Sequence, residues 1–223
     1  MQEPGGNNII NLCGRVMSEC VFSHEVFGEG FYNFDLEVPR LSNNTDILPV
    51  TVSERLMDSG SFTPGLYVRI VGQIRSYNNY VESEGRNRLV LTVFVKDLSL
   101  LGGEDETYGE NPNEVFLNGY ICKPPNYRTT PFGREIADIL LAVNRSYSKS
   151  DYIPCIAWGR NSRFASKLAV GDNIKVWGRM QSRVYQKKTE GDDGFIERTA
   201  YEVSISKLSY DYGDEPEPEE EQL

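Results

Sequence analysis

Between residues 145 and 188, aromatic and basic side chains are interleaved. Tyr147, Tyr152, Trp158 and Tyr185 stand among Arg145, Lys149, Arg160, Arg179, Arg183, Lys187 and Lys188. Rings offer π-faces on which any base can stack, and cationic groups neutralise phosphates, so this mixture suits a single-stranded nucleic acid. Tyr147 and Tyr185 lie in charged segments, where a core residue is not expected. Trp158 shares one face of an alternating stretch with Tyr152, Pro154 and Ile156, opposite Ile153, Cys155 and Ala157, so both packing and ligand contact fit it. Trp177 and Tyr201 sit in apolar alternations and are assigned to packing. Other chemistries are poorly supplied. His24 is the only histidine and no two cysteines form a C-x-x-C pair, which argues against zinc. There is no G-x-x-x-x-G-K-[ST] phosphate loop, and the acidic clusters fall outside apolar strands. No catalytic residue, metal or cofactor is expected, and the chain is not expected to be an enzyme.

The formal net charge of −10 conceals a division. Residues 1–101 carry eight basic against twelve acidic side chains, and residues 114–210 carry fifteen against ten. Residues 102–113 and 211–223 hold four and seven acidic side chains and no basic one. A basic unit is thus flanked by acidic segments, and the basic unit is where a polyanion would bind. No run of about 18 apolar residues is present, and the N-terminus lacks the pattern of a secretory signal, so a cytoplasmic, nucleoid-associated protein without membrane contact is expected. The four cysteines, Cys13, Cys20, Cys122 and Cys155, read as reduced thiols, three of them in apolar strand patterns.

The elements that must hold these residues repeat. Gly14 and Gly119, Phe27-Gly28 and Phe132-Gly133, and Pro49 and Pro154 recur at an offset of 105; Gly65 and Gly72 recur as Gly171 and Gly178 at 106; Leu98-Ser99 recurs as Leu208-Ser209 at 110. Each copy predicts an opening strand (Ile9 to Phe22; Val115 to Lys123) and a second strand (Phe31 to Val38; Ile136 to Val143). A third follows (Leu48 to Glu54; Tyr152 to Arg160), then a short helix. The second copy's helix is expected to be capped by Ser162 and ended by Gly171; the first copy's runs from Glu54 to Met57 and is broken by Gly60. Fourth and fifth strands close each copy (Leu66 to Ile74 and Leu89 to Leu98; Asn173 to Met180 and Thr199 to Leu208). Three strands, a helix and two strands is the order of the OB-fold, a five-stranded Greek-key barrel. A generic β-sandwich leaves the helix unexplained. Gly14, Gly72, Gly119 and Gly178 are expected at strand bulges. The expected architecture is all-β: a divergent first OB-fold over residues 8–101, a linker over 102–113, a second OB-fold over 114–210, and an acidic, disordered tail over 211–223.

Comparison of the copies places the aromatic platforms in the second. Tyr147, Tyr152 and Trp158 become Ser42, Ile47 and Ser53 at the offset of 105. The first copy keeps only the weaker candidates Arg40, Arg55, Arg75, Tyr77 and Tyr80.

The second copy resembles bacterial single-stranded DNA-binding proteins. The resemblance rests, in order, on Asn118-Gly119, Pro125, Arg128, Gly133, Leu141-Ala142-Val143-Asn144-Arg145, Trp158-Gly159-Arg160, Gly171-Asp172 and Val176-Trp177-Gly178-Arg179. It implies sequence-independent binding and protection of single-stranded DNA in replication, recombination and repair, with bases stacked at Tyr147, Tyr152, Trp158 and Tyr185. Arg128 joins Arg145, Lys149, Arg160, Arg179, Arg183 and Lys187 as an expected strand contact. The family presents four OB-folds, so two per chain imply a homodimer. The acidic tail resembles one that recruits replication and repair enzymes, although it ends Glu221-Gln222-Leu223 without an aromatic tip. The competing reading is an adaptor of the replication or recombination machinery that works through protein contacts.

Overall fold

The structure is a computed structural model that describes residues 5–40, 42, 44–57, 62–82, 85–103, 111–188 and 195–211, the side chains of Lys187, Lys188 and Ile196 excepted. The acidic tail beyond Asp211, the acidic loop Glu190 to Asp193, Gly60 and most of the linker lie outside the described residues.

Two tandem OB-folds are built from twelve strands. The first comprises β1 (Asn8–Val16), β2 (Val21–Val26), β3 (Glu29–Pro39), β4 (Thr45–Ser53), β5 (Tyr67–Val81) and β6 (Arg86–Leu100), with a 3-10 turn at Glu54–Leu56 after β4. The second comprises β7 (Asn113–Ile121), β8 (Asn126–Thr129), β9 (Glu135–Arg145), β10 (Lys149–Trp158), helix α1 (Arg160–Ala165), β11 (Asn173–Lys188) and β12 (Phe195–Tyr210). Each barrel closes because its first strand has two partners: β1 pairs with β5 and β3, and β7 pairs with β11 and β9. The fourth position of each ring is a parallel pair, β4 with β6 and β10 with β12. Alternation fills the interiors. Ile153, Cys155 and Ala157 face inward, as do Ala137, Ile139, Leu141 and Val143 opposite them on β9.

The two rings are joined strand to strand. β1 runs antiparallel to β7, with Asn8 opposite Leu117, Ile10 opposite Val115 and Leu12 opposite Asn113. Ile10 therefore faces its own counterpart in the repeat, and the two barrels are related by a pseudo-two-fold axis through that pair. Asn8 and Asn113, both buried, mark the same relation. Asn8 donates to the Ile74 carbonyl (2.8 Å) and accepts from its N–H (2.9 Å); Asn113 does the same with Met180 (2.7 and 2.9 Å).

Several local expectations are corrected. The opening strands break: β1 ends at Val16 and β7 at Ile121, and separate edge strands β2 and β8 follow, wholly exposed. With both faces wet they carry no alternation to announce them. Helix α1 starts after Gly159, at φ +53°, and ends at Ala165, well short of Gly171; Ser162 lies inside it and donates to the Gly159 carbonyl (2.7 Å). Of the four strand glycines, only Gly72 and Gly178 adjoin a register shift. Gly14 and Gly119 sit where the first strand passes from one partner to the other. A Cβ on Gly119 would meet the Ala142 carbonyl oxygen at 2.6 Å. Strand β7 begins at Asn113, inside the stretch read as linker, because that side chain must anchor β11. Asp211, read as the first tail residue, is tied to Asn118 (2.6 Å) and Lys175 (3.1 Å).

Candidate nucleic-acid interface

Pairing between β10 and β9 fixes which side chains share the outer face of the second barrel. Tyr152, Pro154, Ile156 and Trp158 lie on that face beside Ala142, Leu140, Asp138 and Ile136, with Ile156 and Ile136 buried. Tyr152 is 45% and Trp158 38% exposed, and six residues of strand, about 20 Å, separate them. The neighbouring strand β8 adds Arg128 opposite Ile136, so Trp158, Ile136 and Arg128 form one cross-strand row. Arg128 is held by the Asp138 carboxylate (2.9 and 3.3 Å), and this hydrogen bond raises the guanidinium's pKa above its ordinary value.

The other side of the face comes from β11 and β12. Arg183 and Tyr185 lie opposite Ala200 and Arg198, and the Arg183 guanidinium sits 5.5 Å from the Tyr185 ring centroid. A groove of about 780 Å³ runs here, between the β11–β12 arm and residues 86–91 of the β5–β6 arm of the first barrel. It gathers Arg128, Arg183 and Tyr185, with Pro154 and Asp138 also in its lining. Tyr152 and Trp158 lie outside its lining, on either side of Pro154 along β10.

Tyr147 stands apart, at the tip of the β9–β10 turn. It is 95% exposed, and both it and Ser148 adopt left-handed backbone conformations (φ +61° and +55°). Such a conformation costs a non-glycine residue about 1–2 kcal/mol. Lys149 opens β10 and Arg160 opens α1, just past the other end of that strand; both are exposed. Lys187 continues β11, opposite Ile196.

Four of the arginines have another task. Asp46 and Asp151, 105 residues apart, are 1% and 0% exposed. Asp46 accepts from Arg40 of its own barrel (2.6 Å) and from Arg179 of the other (3.0 Å); Asp151 accepts from Arg145 (3.3 Å) and, across the seam, from Arg75 (2.9 Å). The N–H of Ser182 donates to Asp46 and that of Ser76 to Asp151, each at 2.8 Å. The Asp46 hydrogen bond raises the pKa of Arg40, whereas burial lowers that of Arg179 in spite of Asp46. Arg40, Arg75, Arg145 and Arg179 therefore clamp the barrels together, with their charge partly offset by buried carboxylates. The sequence reading of these four as strand contacts did not include this structural task. A buried ionised carboxylate must be paired, and these guanidiniums are its partners. The sequence signal was available, since each aspartate stands at the same place in its repeat, at the start of a third strand.

The equivalent face of the first barrel differs. A groove of about 500 Å³ there is lined by Tyr77, Phe34, Asn33, Pro49, Glu19 and Asp35 among others and, among the described residues, by no basic side chain. Tyr77 takes the place of Arg183 at the offset of 106, and Thr51, hydrogen-bonded to Asn33 and Thr92 (2.8 Å each), takes that of Ile156. Arg55 pairs with Glu29 (3.4 Å), and Tyr80 is exposed on the β5–β6 arm.

Residues 112–210 match the model of the single-strand binding protein family. The second barrel is thus similar to this family, over somewhat less than half of the chain. Single-stranded DNA-binding protein 1 of Staphylococcus aureus (strain COL) is 37% identical over 91 residues, which cover 38% of this chain and 54% of the relative. Single-stranded DNA-binding protein A of Bacillus subtilis (strain 168) is 35% identical over 91 residues, covering 38% and 52%. The chain thus spans about half the length of the curated relatives it matches. Its whole architecture is similar to the crystal structure of the wild-type single-stranded DNA binding protein from Thermus aquaticus, with a TM-score of 0.73 at 18% identity, covering 96% of this chain and 97% of that one. The family match is confined to the barrel that carries the exposed rings, whereas the tandem arrangement extends over nearly the whole chain. Among the described residues, no helix is long and apolar enough to cross a membrane.

Proposed function

We propose that this chain binds and protects single-stranded DNA without regard to sequence, in replication, recombination and repair, chiefly through its second barrel and without catalysis. The observation that carries this reading is the outer face of β10–β9–β8 and the adjoining arm. Tyr152, Trp158 and Tyr185 expose ring surface there beside Arg128 and Arg183, in the barrel that matches the family. Bases stack on the rings, and phosphates lie against the guanidiniums. Tyr147, Lys149, Arg160 and Lys187 extend the path at its ends. The first barrel, residues 8–101, contributes the scaffold; two chains per particle give four barrels. The tail recruits replication or repair proteins.

Oligothymidylate should quench the tryptophan fluorescence, and affinity should fall with salt. Each stacked ring contributes about 1–3 kcal/mol per base, so Trp158→Ala with Tyr185→Ala should weaken binding by more than tenfold. Full affinity in that double variant would refute the site. Competition by a matched RNA oligomer, which differs in its 2′-hydroxyls, tests the preference for DNA, and native mass tests the pairing of chains.

A further inference from the structure

Past Trp158 the outer face of the second barrel continues onto the turn that joins β8 to β9. Arg128 lies opposite Ile136 and Thr129 opposite Glu135, so Thr130 and Arg134 make the next outer row, about 7 Å beyond Trp158. Phe132 stands at the tip of this turn and is 91% exposed. At most about 14 Å of chain separates it from Ile136, the cross-strand neighbour of Trp158. The turn is pinned. The Thr130 N–H donates to the Arg134 carbonyl (2.8 Å), the Gly133 N–H to the Thr130 carbonyl (2.9 Å), and the Arg134 N–H to the Thr130 hydroxyl (3.1 Å). At its base Glu135 accepts from Tyr127 (2.5 Å) and from Arg163 of α1 (2.7 and 3.0 Å). A ring held in place loses little freedom when a ligand covers it.

The backbone of the turn does not call for this ring. Phe27 takes the same place in the first barrel and is wholly exposed, but its turn is a different one: Phe27-Gly28 alone joins β2 to β3, with Phe27 at φ +51°. Residues 130–134 join β8 to β9, and Phe132 is not among the residues of positive φ. Glycine, proline, asparagine, aspartate and serine are the usual occupants of such tips. A phenylalanine stands exposed in two turns of unlike geometry, so turn chemistry does not account for it. The surroundings separate the two rings. Around Phe27 the platform positions are Ile47 and Ser53, where the second barrel has Tyr152 and Trp158. Phe132 has Trp158 and Arg128 on the adjoining row and Arg134, exposed, on its own hairpin. The Gly159 N–H donates to the Glu135 carbonyl (3.0 Å), which sets Arg160 beside the same end of the face. A π-surface among guanidiniums is what a base and its phosphates require.

We propose that Phe132 is a further base-stacking platform, which carries a bound strand past Trp158 and over the β8–β9 turn. The inference rests on the strand-binding reading above and lengthens that site by one ring. Phe27, its counterpart in the repeat, takes no part.

The test uses the full chain and fluorescent oligothymidylate at fixed salt. Phe132→Ala should weaken binding by about tenfold and leave thermal unfolding unchanged, since the ring is almost wholly exposed. Phe132→Leu stays apolar but has no π-face and should lose nearly as much. Phe132→Trp should retain affinity and add tryptophan fluorescence that oligothymidylate quenches. Phe27→Ala, which removes an equally exposed ring from the other barrel, should bind as the wild type does. Wild-type affinity in Phe132→Ala overturns the assignment, and a weakened Trp158→Ala, Tyr185→Ala variant alongside shows that the strand-binding reading survives it. A wild-type chain that does not bind oligothymidylate overturns both. A leucine variant as tight as the wild type, or a tryptophan at 132 that the oligomer leaves unquenched, means that the ring is not stacked and the platform fails. An equal loss in Phe27→Ala would show that the effect does not belong to the second barrel's face, and would overturn it too.

Discussion

The clamp on Asp151 allows its energetics to be worked through in both directions. Arg75 Nη1 lies 2.9 Å from Asp151 Oδ2, and its Nη2 lies 2.5 Å from the Oε1 of Gln73. On the other side of the pseudo-two-fold, Arg179 makes the same two contacts with Asp46 (3.0 Å) and Gln181 (2.9 Å). At the offset of 106, however, Arg75 corresponds to Gln181 and Gln73 to Arg179. The arginine and the glutamine have exchanged positions, and both orders satisfy the carboxylate. Arg75→Gln should therefore destabilise the chain, because Asp151 is fully buried and loses the charged donor to Oδ2. Arg145 and the Ser76 N–H remain, so the cost is that of one charge-assisted hydrogen bond, about 2 kcal/mol, rather than that of an abandoned buried charge. For a chain of this size this is about 4–8 °C in Tm. Adding Gln73→Arg to Arg75→Gln reproduces the order used at Arg179 and Gln181 and should recover most of the loss. Thermal unfolding of the wild type and of the single and double variants is the assay. A double variant no more stable than Arg75→Gln, or a single variant that melts with the wild type, would show that these contacts do not hold the seam.

Three further perturbations read other parts of the structure. Tyr147→Gly should move stability and binding in opposite directions: relief of the left-handed backbone should raise stability by about 1 kcal/mol, seen in denaturant unfolding, while loss of an exposed ring weakens oligothymidylate binding. Asn113→Ala leaves the Met180 N–H and carbonyl without their side-chain partner and should cost about 2–4 kcal/mol in the same assay, with Asn8→Ala costing a similar amount through Ile74.

The repeat made the architecture legible. An offset near 105 over successive glycines and prolines announced two copies of one barrel, and the order of strands and helix gave the barrel its class. The exposed faces of Tyr147, Tyr152 and Tyr185 were equally readable, since rings in charged or alternating segments have no core to enter. The seam was not. Arg145 and Arg179 look like any other cations beside aromatic residues until Asp46 and Asp151 are seen to be buried, and burial there depends on a pairing between distant strands. Edge strands β2 and β8 were invisible because neither face of either is covered.

Ile10 opposite Val115 carries a last consequence. When two halves meet about a two-fold axis as separate molecules, dilution parts them, and any surface that spans the junction parts with them. Here the halves share a polypeptide, so each meets the other at an effective concentration set by the intervening chain and not by the amount of protein present. A groove with one wall from each barrel then stays assembled however scarce the protein becomes.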